Sequence, residues 1–572
     1  REQVLTKLRE VYGEDRVANV LTLGTEQSKS AIQTAARGLG IDVDIATYLS
    51  SMIEADRGKT RTLAQTFYGD EENDIKPNKQ FVYEMTNNYP ELWKVAQKIE
   101  GLICRTGIHA GGVIFVDEPF TNSTALMRAP SGEIITQFEL HDSEKASLIK
   151  YDLLSVEALD KIHICLDLLQ EHGYINDEGS LKDTYENTIG IYKLERTAED
   201  MWKMCWEHKV LSLFQMEKQS GIKGIALLKP NSVDELAILN STIRLMATEK
   251  GGEMPTEKLT RFKNNPKLWD AELRQYGLGP AEKAVIEPVV GISYGLCIAQ
   301  EQFMQLVQLP ELGGFSLTFA DKLRKSIAKK NPADYEKITK EFFKETEEKG
   351  CNMQLCHYVW DVLIAMSRGY GFNQSHTLAY SLIGLQELNL AYKFPTIFWD
   401  TACLIANSGG EGASTDYTKL AQAIGTVRRE GIKVGLPNIN TSQLGFEPDV
   451  ENDQILFGLK AMLGIGDEVV ESIIANRPYV SIKDFINKVK PKRSVMISLI
   501  KGGAFDSMMD RKFAMAWYLW ETCDKKKRIT LQNMNGLKTY GLLPMTPDYI
   551  PSFKIYEFNR YLKAFCKSGI NY

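Results

Sequence analysis

The stretch LIKYDLLSVEALDKI, residues 148–162, decides how the chain is read. Lys150, Tyr151 and Asp152 stand side by side, with two leucines after them. Asp152 has apolar neighbours, and an ionised carboxylate is costly in such a setting unless something pairs with it. As a strand the segment alternates, so Lys150 and Asp152 project from the same sheet face. A plain ion pair is the bland reading. The functional one is a metal-binding carboxylate beside a cation that meets phosphate. Two-metal phosphoryl transfer needs several carboxylates around ions about 3.5–4 Å apart, and Asp152 supplies only one.

Working outward, HAGGVIFVDEPF carries a β-run from Val113 to Val116, after a Gly pair and before a Pro. EIITQFEL and SLIKYDLL read as further strands, so residues 105–157 are expected to form part of a sheet. Residues 1–104 read as short helices. In REQVLTKLREVYG, Val4, Leu5, Leu8 and Val11 make one stripe with no N-cap ahead of it. The chain is therefore expected to open inside a helix and to belong to something longer. From SVEALDKIHICLDLLQEHGY to about residue 425 helical spacing dominates. GIKVGLPNINTSQLGFEPDVENDQILFGLKAM then reads as two short strands leading into a compact helical unit that ends near residue 510. The expected class is mixed, mainly α with a smaller β component (α+β).

At 572 residues the chain exceeds one core, and roughly three to five domains are expected. With 44% apolar and 25% charged residues it is not disordered as a whole. Lys+Arg is 68 against Asp+Glu 74, a net charge of −6, which excludes a uniformly basic coat but leaves room for local patches. Nine Cys form no CxxC pair, and Cys351 and Cys356 are too widely spaced for a zinc knuckle. Reduced thiols in a cytoplasmic protein are the economical expectation. No window approaches a membrane span.

Three further constellations stand out. In FADKLRKSIAKKNPADYEK, Lys322, Lys325 and Lys329 share a helical face flanked by Arg324 and Lys330. Such charges are often only a solvated face, and otherwise grip polyphosphate or a nucleic-acid backbone. In RGYGFNQSHTLAYSLIGLQ, Arg368, Tyr370, Phe372, Asn373 and His376 crowd a turn ahead of an apolar helix that Ser375 is placed to cap. A plain cap is one reading; stacking on a base with contact to phosphate is the other. In LKAMLGIGDEVVESIIANR, Gly464 and Gly466 flank Ile465 ahead of a helix, a spacing that lets backbone N–H groups approach phosphate. A lone GxG is weak, but NKVKPKRSVMISLIKGGAFD follows it with Lys488, Lys490, Lys492, Arg493 and Lys501.

Together these segments resemble the bacterial C-family replicative polymerases, the alpha subunit of DNA polymerase III. VLTLGTEQSKSAIQTAARGLG is similar to the start of that family's thumb. RTGIHAGGVIF, ITQFEL and IKYDLLSVEALDKI resemble its second palm segment. LFQMEKQSGIKGIALLKPNSVDELAILNSTIRL, YGLCIAQEQFMQLVQLPELGGFSLTFADKLRKSIAKKN and YGFNQSHTLAYSLIGLQ resemble its fingers. Residues 431–506 are similar to its tandem helix-hairpin-helix region. The resemblance implies a palm-edge helix and connection over 1–28, thumb over 29–104, and second palm segment over 105–157. Fingers follow over 158–428, a duplex-binding hairpin domain over 429–510, and a helical tail over 511–572.

By the same resemblance, KYDLL matches a K-F-D-F-L motif, making Asp152 the third metal-site carboxylate and Lys150 its phosphate-contacting neighbour. The family's other two carboxylates form a D-x-D pair immediately upstream of the helix that opens here, and would come from an N-terminal part or a partner chain. Arg324 and Lys325 match a basic pair facing the triphosphate, with Lys329 beside them. Tyr370, Asn373 and His376 match Y-G-F-N-K-S-H, with Gln374 in place of the lysine. F-R-P-G-P reads IRLMAT, keeping Arg244 and losing the Pro-Gly-Pro turn. Gly464, Gly466, Lys490, Lys492 and Arg493 would track the duplex. The implied reaction is primer extension with deoxynucleoside triphosphates on a DNA template, using two Mg²⁺ ions. A sliding clamp is a further partner of the family, although LQNMNGL keeps Gln532 without the hydrophobic-aromatic ending of a clamp motif. The departures fit a short, divergent polymerase, phage-encoded or split between chains. Competing readings are a non-catalytic DNA-binding remnant and a metal-dependent nuclease, the latter weakened by having one recognisable carboxylate.

Overall fold

The alternation in KYD does produce a strand, and its place in the sheet is an edge. The computed structural model describes residues 2–522 apart from 57–58, 71–74, 123, 246–252, 330–331, 368–370 and 410–414. These residues are 59% helix and 9% strand, an α+β protein dominated by helix. The chain divides into two compact units, one up to Val156 and one from Glu157 onward.

The first unit contains α1 (Glu2–Tyr12), β1 (Val17–Thr25), α2 (Ser28–Gly38), α3 (Val43–Ser51), α4 (Pro90–Ile99), β2 (Ile103–Phe115), β3 (Leu126–Arg128), β4 (Ile134–Thr136), α5 (Leu140–Lys145) and β5 (Lys150–Asp152). Among the described residues the five strands form one sheet in the order β3-β4-β1-β2-β5. Strand β1 corrects the expectation that residues 1–104 are purely helical. Its residues Val17 to Leu21 are all buried, so no polar face shows and the period-2 signal vanishes. Strand β2 runs 13 residues, far beyond the expected Val113–Val116. EIITQFEL is a strand only over β4; Glu139 then accepts from the N–H groups of His141 and Asp142 and starts α5.

Alternation along β1 and β2 separates two apolar faces. Leu5 of α1 packs with Val17 and Val113 on one, while Ala18, Val20, Ile114, Phe120 and Leu148 fill the other. The stripe expected on α1 is narrower than read, since Val4 and Val11 are exposed. Helices α2, α3 and α4 hold a separate core around Ile32, Leu49, Phe81 and Trp93. Fully burying a side chain such as Phe81 contributes about 1.5–3 kcal/mol.

The second unit includes α6 (Glu157–Glu171), α7 (Val233–Thr242), α8 (Gln300–Gln308), α9 (Leu317–Lys329), α10 (Gln374–Lys393) and α11 (Thr396–Asn407). Residues Leu385 to Ala391 of α10 are buried without a break, polar ones included. Gln386 Nε2 donates to the Ile189 carbonyl at 3.0 Å. Asn389 accepts from the Glu195 N–H at 2.7 Å and donates to its carbonyl at 2.9 Å. Glu387 Oε2 accepts the Phe214 N–H at 2.6 Å. Loops that would otherwise carry unpaired backbone groups are thus satisfied from one helix.

Three short strands follow where two were expected: β6 (Lys433–Val434), β7 (Glu447–Asp449) and β8 (Gln454–Leu456), with β8 central. Helices α12 (Asp467–Ala475), α13 (Ile482–Val489), α14 (Arg493–Gly502) and α15 (Arg511–Thr522) close the described chain. Ala514, Met515, Tyr518 and Leu519 of α15 share a core with Ile473, Phe485 and Leu499. The expected boundary at residue 510 therefore cuts through packed apolar surface. Residues 523–572, with the DKKKR run and Gln532, lie outside the described residues.

Candidate active site and nucleic-acid interface

Strand β5 presents Lys150 and Asp152 on one face, joined by an ion pair of 2.5 Å. The Asp152 side chain is 56% exposed and that of Lys150 is 16% exposed. The expectation of an apolar setting for Asp152 is thereby corrected: as an edge-strand residue it faces solvent and keeps its oxygens accessible, while the lysine stem lies against the sheet. Asp152 sits opposite Gly112 of β2. A Cβ at Gly112 would fall 3.0 Å from Lys150 Cδ and 2.9 Å from His109 Nδ1, so the glycine lets both side chains close over the strand. Register between β1 and β2 jumps from Asn19↔Val113 to Leu21↔Ile108, which pushes three extra residues of β2 out of the ladder. His109 Nδ1 accepts the N–H groups of Gly112 at 2.7 Å and Gly111 at 3.2 Å. His109 was not among the residues singled out from sequence, because a bulge of this kind has no periodic signature.

In the second unit, α7 and α10 pack together and the Ser241 hydroxyl donates to Thr377 at 3.3 Å. Arg244, just past α7, therefore meets the start of α10. Its guanidinium lies 4.4 Å from the Phe372 ring centroid and donates to Gln215 Oε1 and, at 3.4 Å, to Asn240 Oδ1. His376 stands 3.9 Å from the Tyr380 ring and 5.2 Å from that of Phe372, centroid to centroid. Burial, and then the Arg244 charge, hold the His376 imidazole below its ordinary pKa. The cap of α10 is Asn373, not Ser375: its Oδ1 accepts the His376 N–H at 3.0 Å, and the Ser375 hydroxyl donates to that same oxygen. Gln300 at the start of α8 fixes the turn from outside, its Nε2 donating to the Gly371 carbonyl at 2.6 Å. Glu301 accepts the Gln374 N–H at 2.9 Å.

Sequence reading missed Gln215. It sits at φ +67° on a loop where His208 and Ser212 are also left-handed, and a glutamine gives no warning of that conformation. Helix α9 packs on α8 and carries Arg324 and Lys325, both bound to Asp321 at 2.7 Å. Hydrogen bonds from Lys325 and then Arg324 hold the Asp321 carboxyl below its usual range. Asp321 thus occupies the basic pair. Tyr370 with Arg368, and the Lys329 side chain with Lys330, lie outside the described residues.

The third cluster is built on two turns around one core. Gly464 adopts φ +77° and Gly466 caps α12, and among the described residues a Cβ on either would meet nothing within 4 Å. Lys490 adopts φ +49° at the end of α13, and Lys492 caps α14. Lys490, Lys492 and Arg493 are all exposed, so this second turn carries a basic tip. Among the described residues no three His, Cys, Asp or Glu side chains are grouped to hold a metal ion, and no helix is long and apolar enough to cross a membrane.

A five-stranded sheet with one lysine–aspartate face, a helical region with an arginine–aromatic cluster and a paired-turn helical domain occur here in one chain. Residues 1–155 match the bacterial DNA polymerase III alpha NTPase domain, residues 165–350 the finger domain of the same subunit, and residues 431–514 a helix-hairpin-helix motif. The chain belongs to the bacterial DNA polymerase III alpha family. It is 41% identical over 576 residues to the probable DNA polymerase YorL of Bacillus subtilis (strain 168), covering 98% of this chain and 44% of that protein. The same figures hold for the DNA-directed DNA polymerase of Bacillus phage SPbeta. The DNA polymerase III subunit alpha of Thermus aquaticus is 27% identical over 523 residues, 90% of this chain and 40% of that protein. The chain thus spans less than half the length of these relatives.

Proposed function

We propose that this chain forms the thumb, second palm segment, fingers and duplex-binding portions of a DNA-directed DNA polymerase that extends a primer with deoxynucleoside triphosphates. The observation that carries this reading is the solvent-facing Lys150–Asp152 pair on an edge strand in a chain of this family. Among the described residues, β5 pairs with β2 on one side and with no strand on the other. That edge suits a strand bringing a D-x-D carboxylate pair, from a longer form of the protein or from another chain. Accessible carboxylate oxygens suit Mg²⁺, a hard cation that favours oxygen ligands. Two such ions, when bound, would supply activation of the primer 3′-hydroxyl and neutralise the charge on the leaving pyrophosphate.

Within the first unit, Asp152 is proposed as the metal ligand and Lys150 as the group that orients it and contacts phosphate. Within the second, Arg244, Asn373 and His376 are proposed to shape the nucleotide pocket together with Tyr370. Arg324, Lys325 and Lys329 are proposed to hold phosphate oxygens, which requires the first two to exchange Asp321 for the ligand. Gly464, Gly466, Lys490, Lys492 and Arg493 are proposed to contact the duplex backbone. The cytoplasm of a bacterium is the proposed setting, with a sliding clamp as a further partner.

The test is primer extension by the complete polymerase carrying Asp152→Asn. Loss of at least about a hundredfold in rate is expected for a metal carboxylate. Extension at the parental rate would overturn Asp152 as the metal ligand, whereas no extension by the parent itself would leave a non-catalytic DNA-binding protein, whose duplex affinity depends on salt but not on Mg²⁺.

A further inference from the structure

His109 is held in one tautomer by the bulge it caps. Its Nδ1 accepts two backbone N–H groups, from Gly112 at 2.7 Å and Gly111 at 3.2 Å, so Nδ1 carries no proton. A neutral imidazole of that kind has its proton on Nε2 and is a donor there. Among the described residues Nε2 has no hydrogen-bond partner, and the side chain is only half-buried. The imidazole also lies on the working face of the sheet, since the missing Cβ of Gly112 would touch both His109 Nδ1 and Lys150 Cδ. Bulged strands beside active sites re-aim side chains, and here the bulge aims a neutral N–H donor to the side of a lysine and a carboxylate. A neutral donor complements an anionic oxygen without adding charge to an already paired lysine.

We propose that His109 is a phosphate-binding residue, its Nε2–H donating to a phosphate oxygen of the ligand held at the Lys150–Asp152 face. This rests on the polymerase reading above. The oxygen belongs either to the incoming triphosphate or to the last phosphodiester of the primer, and the experiment separates the two. In His109→Asn the amide oxygen falls near the Nδ1 position and still accepts from Gly111 and Gly112, but the distal donor is gone. In His109→Ala both functions are lost. The complete polymerase is compared as parent, His109→Asn and His109→Ala, with Asp152→Asn as control.

His109→Asn is expected to keep the parental melting temperature and to lose about tenfold or more in one binding step. If the triphosphate is the partner, KM for the deoxynucleotide rises; if the primer is, primer–template affinity measured by fluorescence anisotropy without nucleotide falls. In the parent, ¹⁵N resonances of His109 are expected to show the Nε2–H tautomer, with Nε2 shifting when that ligand is added. A His109→Asn variant with parental KM, rate and primer–template affinity would overturn the proposal and reduce His109 to a bulge cap. Parental activity in Asp152→Asn would instead overturn the metal role of Asp152, and absence of primer extension in the parent would overturn the polymerase reading, whatever His109 does.

Discussion

Arg244 donates to Gln215 and Asn240 while its guanidinium lies over Phe372, and its charge reaches His376. Both effects on His376 oppose the imidazolium: burial removes water from it, and the arginine repels it. A histidine whose folded pKa is depressed stabilises the fold fully above its unfolded value, here 6.5, and loses that contribution as pH falls through the lowered folded value. Arg244→Gln removes the repulsion and leaves the burial. The NMR titration midpoint of His376 is then expected to rise toward 6.5 without reaching it, with nucleotide affinity falling about tenfold. A midpoint unchanged by Arg244→Gln would show that burial alone sets the histidine. The pairing of Arg244 with His376 was legible only as family resemblance, since 131 positions of spacing (376 − 244 − 1) carry no periodic signal.

At the scale of elements, α10 shows how a polar helix becomes a core element. Glu387 is fully buried, and burial raises its carboxyl well above the ordinary 4.5. Its Oε2 accepts the Phe214 N–H, and among the described residues its Oε1 has no hydrogen-bond partner. An acid with a raised folded pKa leaves the protein most stable below the unfolded value and weakens it as pH rises. Glu387→Gln keeps an oxygen for Phe214 and carries no charge. It is expected to stay within about 1 kcal/mol of the parent near pH 5 and to exceed it near pH 8, as read from denaturant unfolding. Glu387→Ala leaves a cavity and an orphaned N–H, and is expected to cost about 2–4 kcal/mol at either pH. Equal pH profiles for the parent and Glu387→Gln would contradict a neutral buried acid. The helix itself was legible as an apolar run after the turn, but the burial of Gln386, Glu387 and Asn389 was not, much as two-sided burial hides β1. By contrast KYD was legible because the alternation of Lys150 and Asp152 survives in the sequence of an exposed edge strand.

Over the whole molecule the net charge is −6, so any affinity for a polyanion has to come from local patches. The paired-turn domain offers one, with exposed Lys490, Lys492 and Arg493 at one turn and Gly464 and Gly466 at the other. Two glycines that look alike in sequence differ physically. Gly464 at φ +77° occupies a conformation that costs an alanine about 1 kcal/mol, so Gly464→Ala is expected to destabilise the fold. Gly466 has an ordinary φ of −94°, and an alanine Cβ there meets no atom within 4 Å among the described residues. Gly466→Ala is therefore expected to melt at the parental temperature. If a phosphate approaches the start of α12, the added methyl stands in its way, and duplex affinity falls about tenfold with little change in salt dependence. Lys490→Ala with Lys492→Ala acts the other way: it removes two phosphate contacts and is expected to flatten the slope of log affinity against log salt by about 1.8. Fluorescence anisotropy with a DNA duplex at several salt concentrations reads both effects. Parental affinity in Gly466→Ala together with a parental slope in the double lysine variant would place the duplex elsewhere on the molecule.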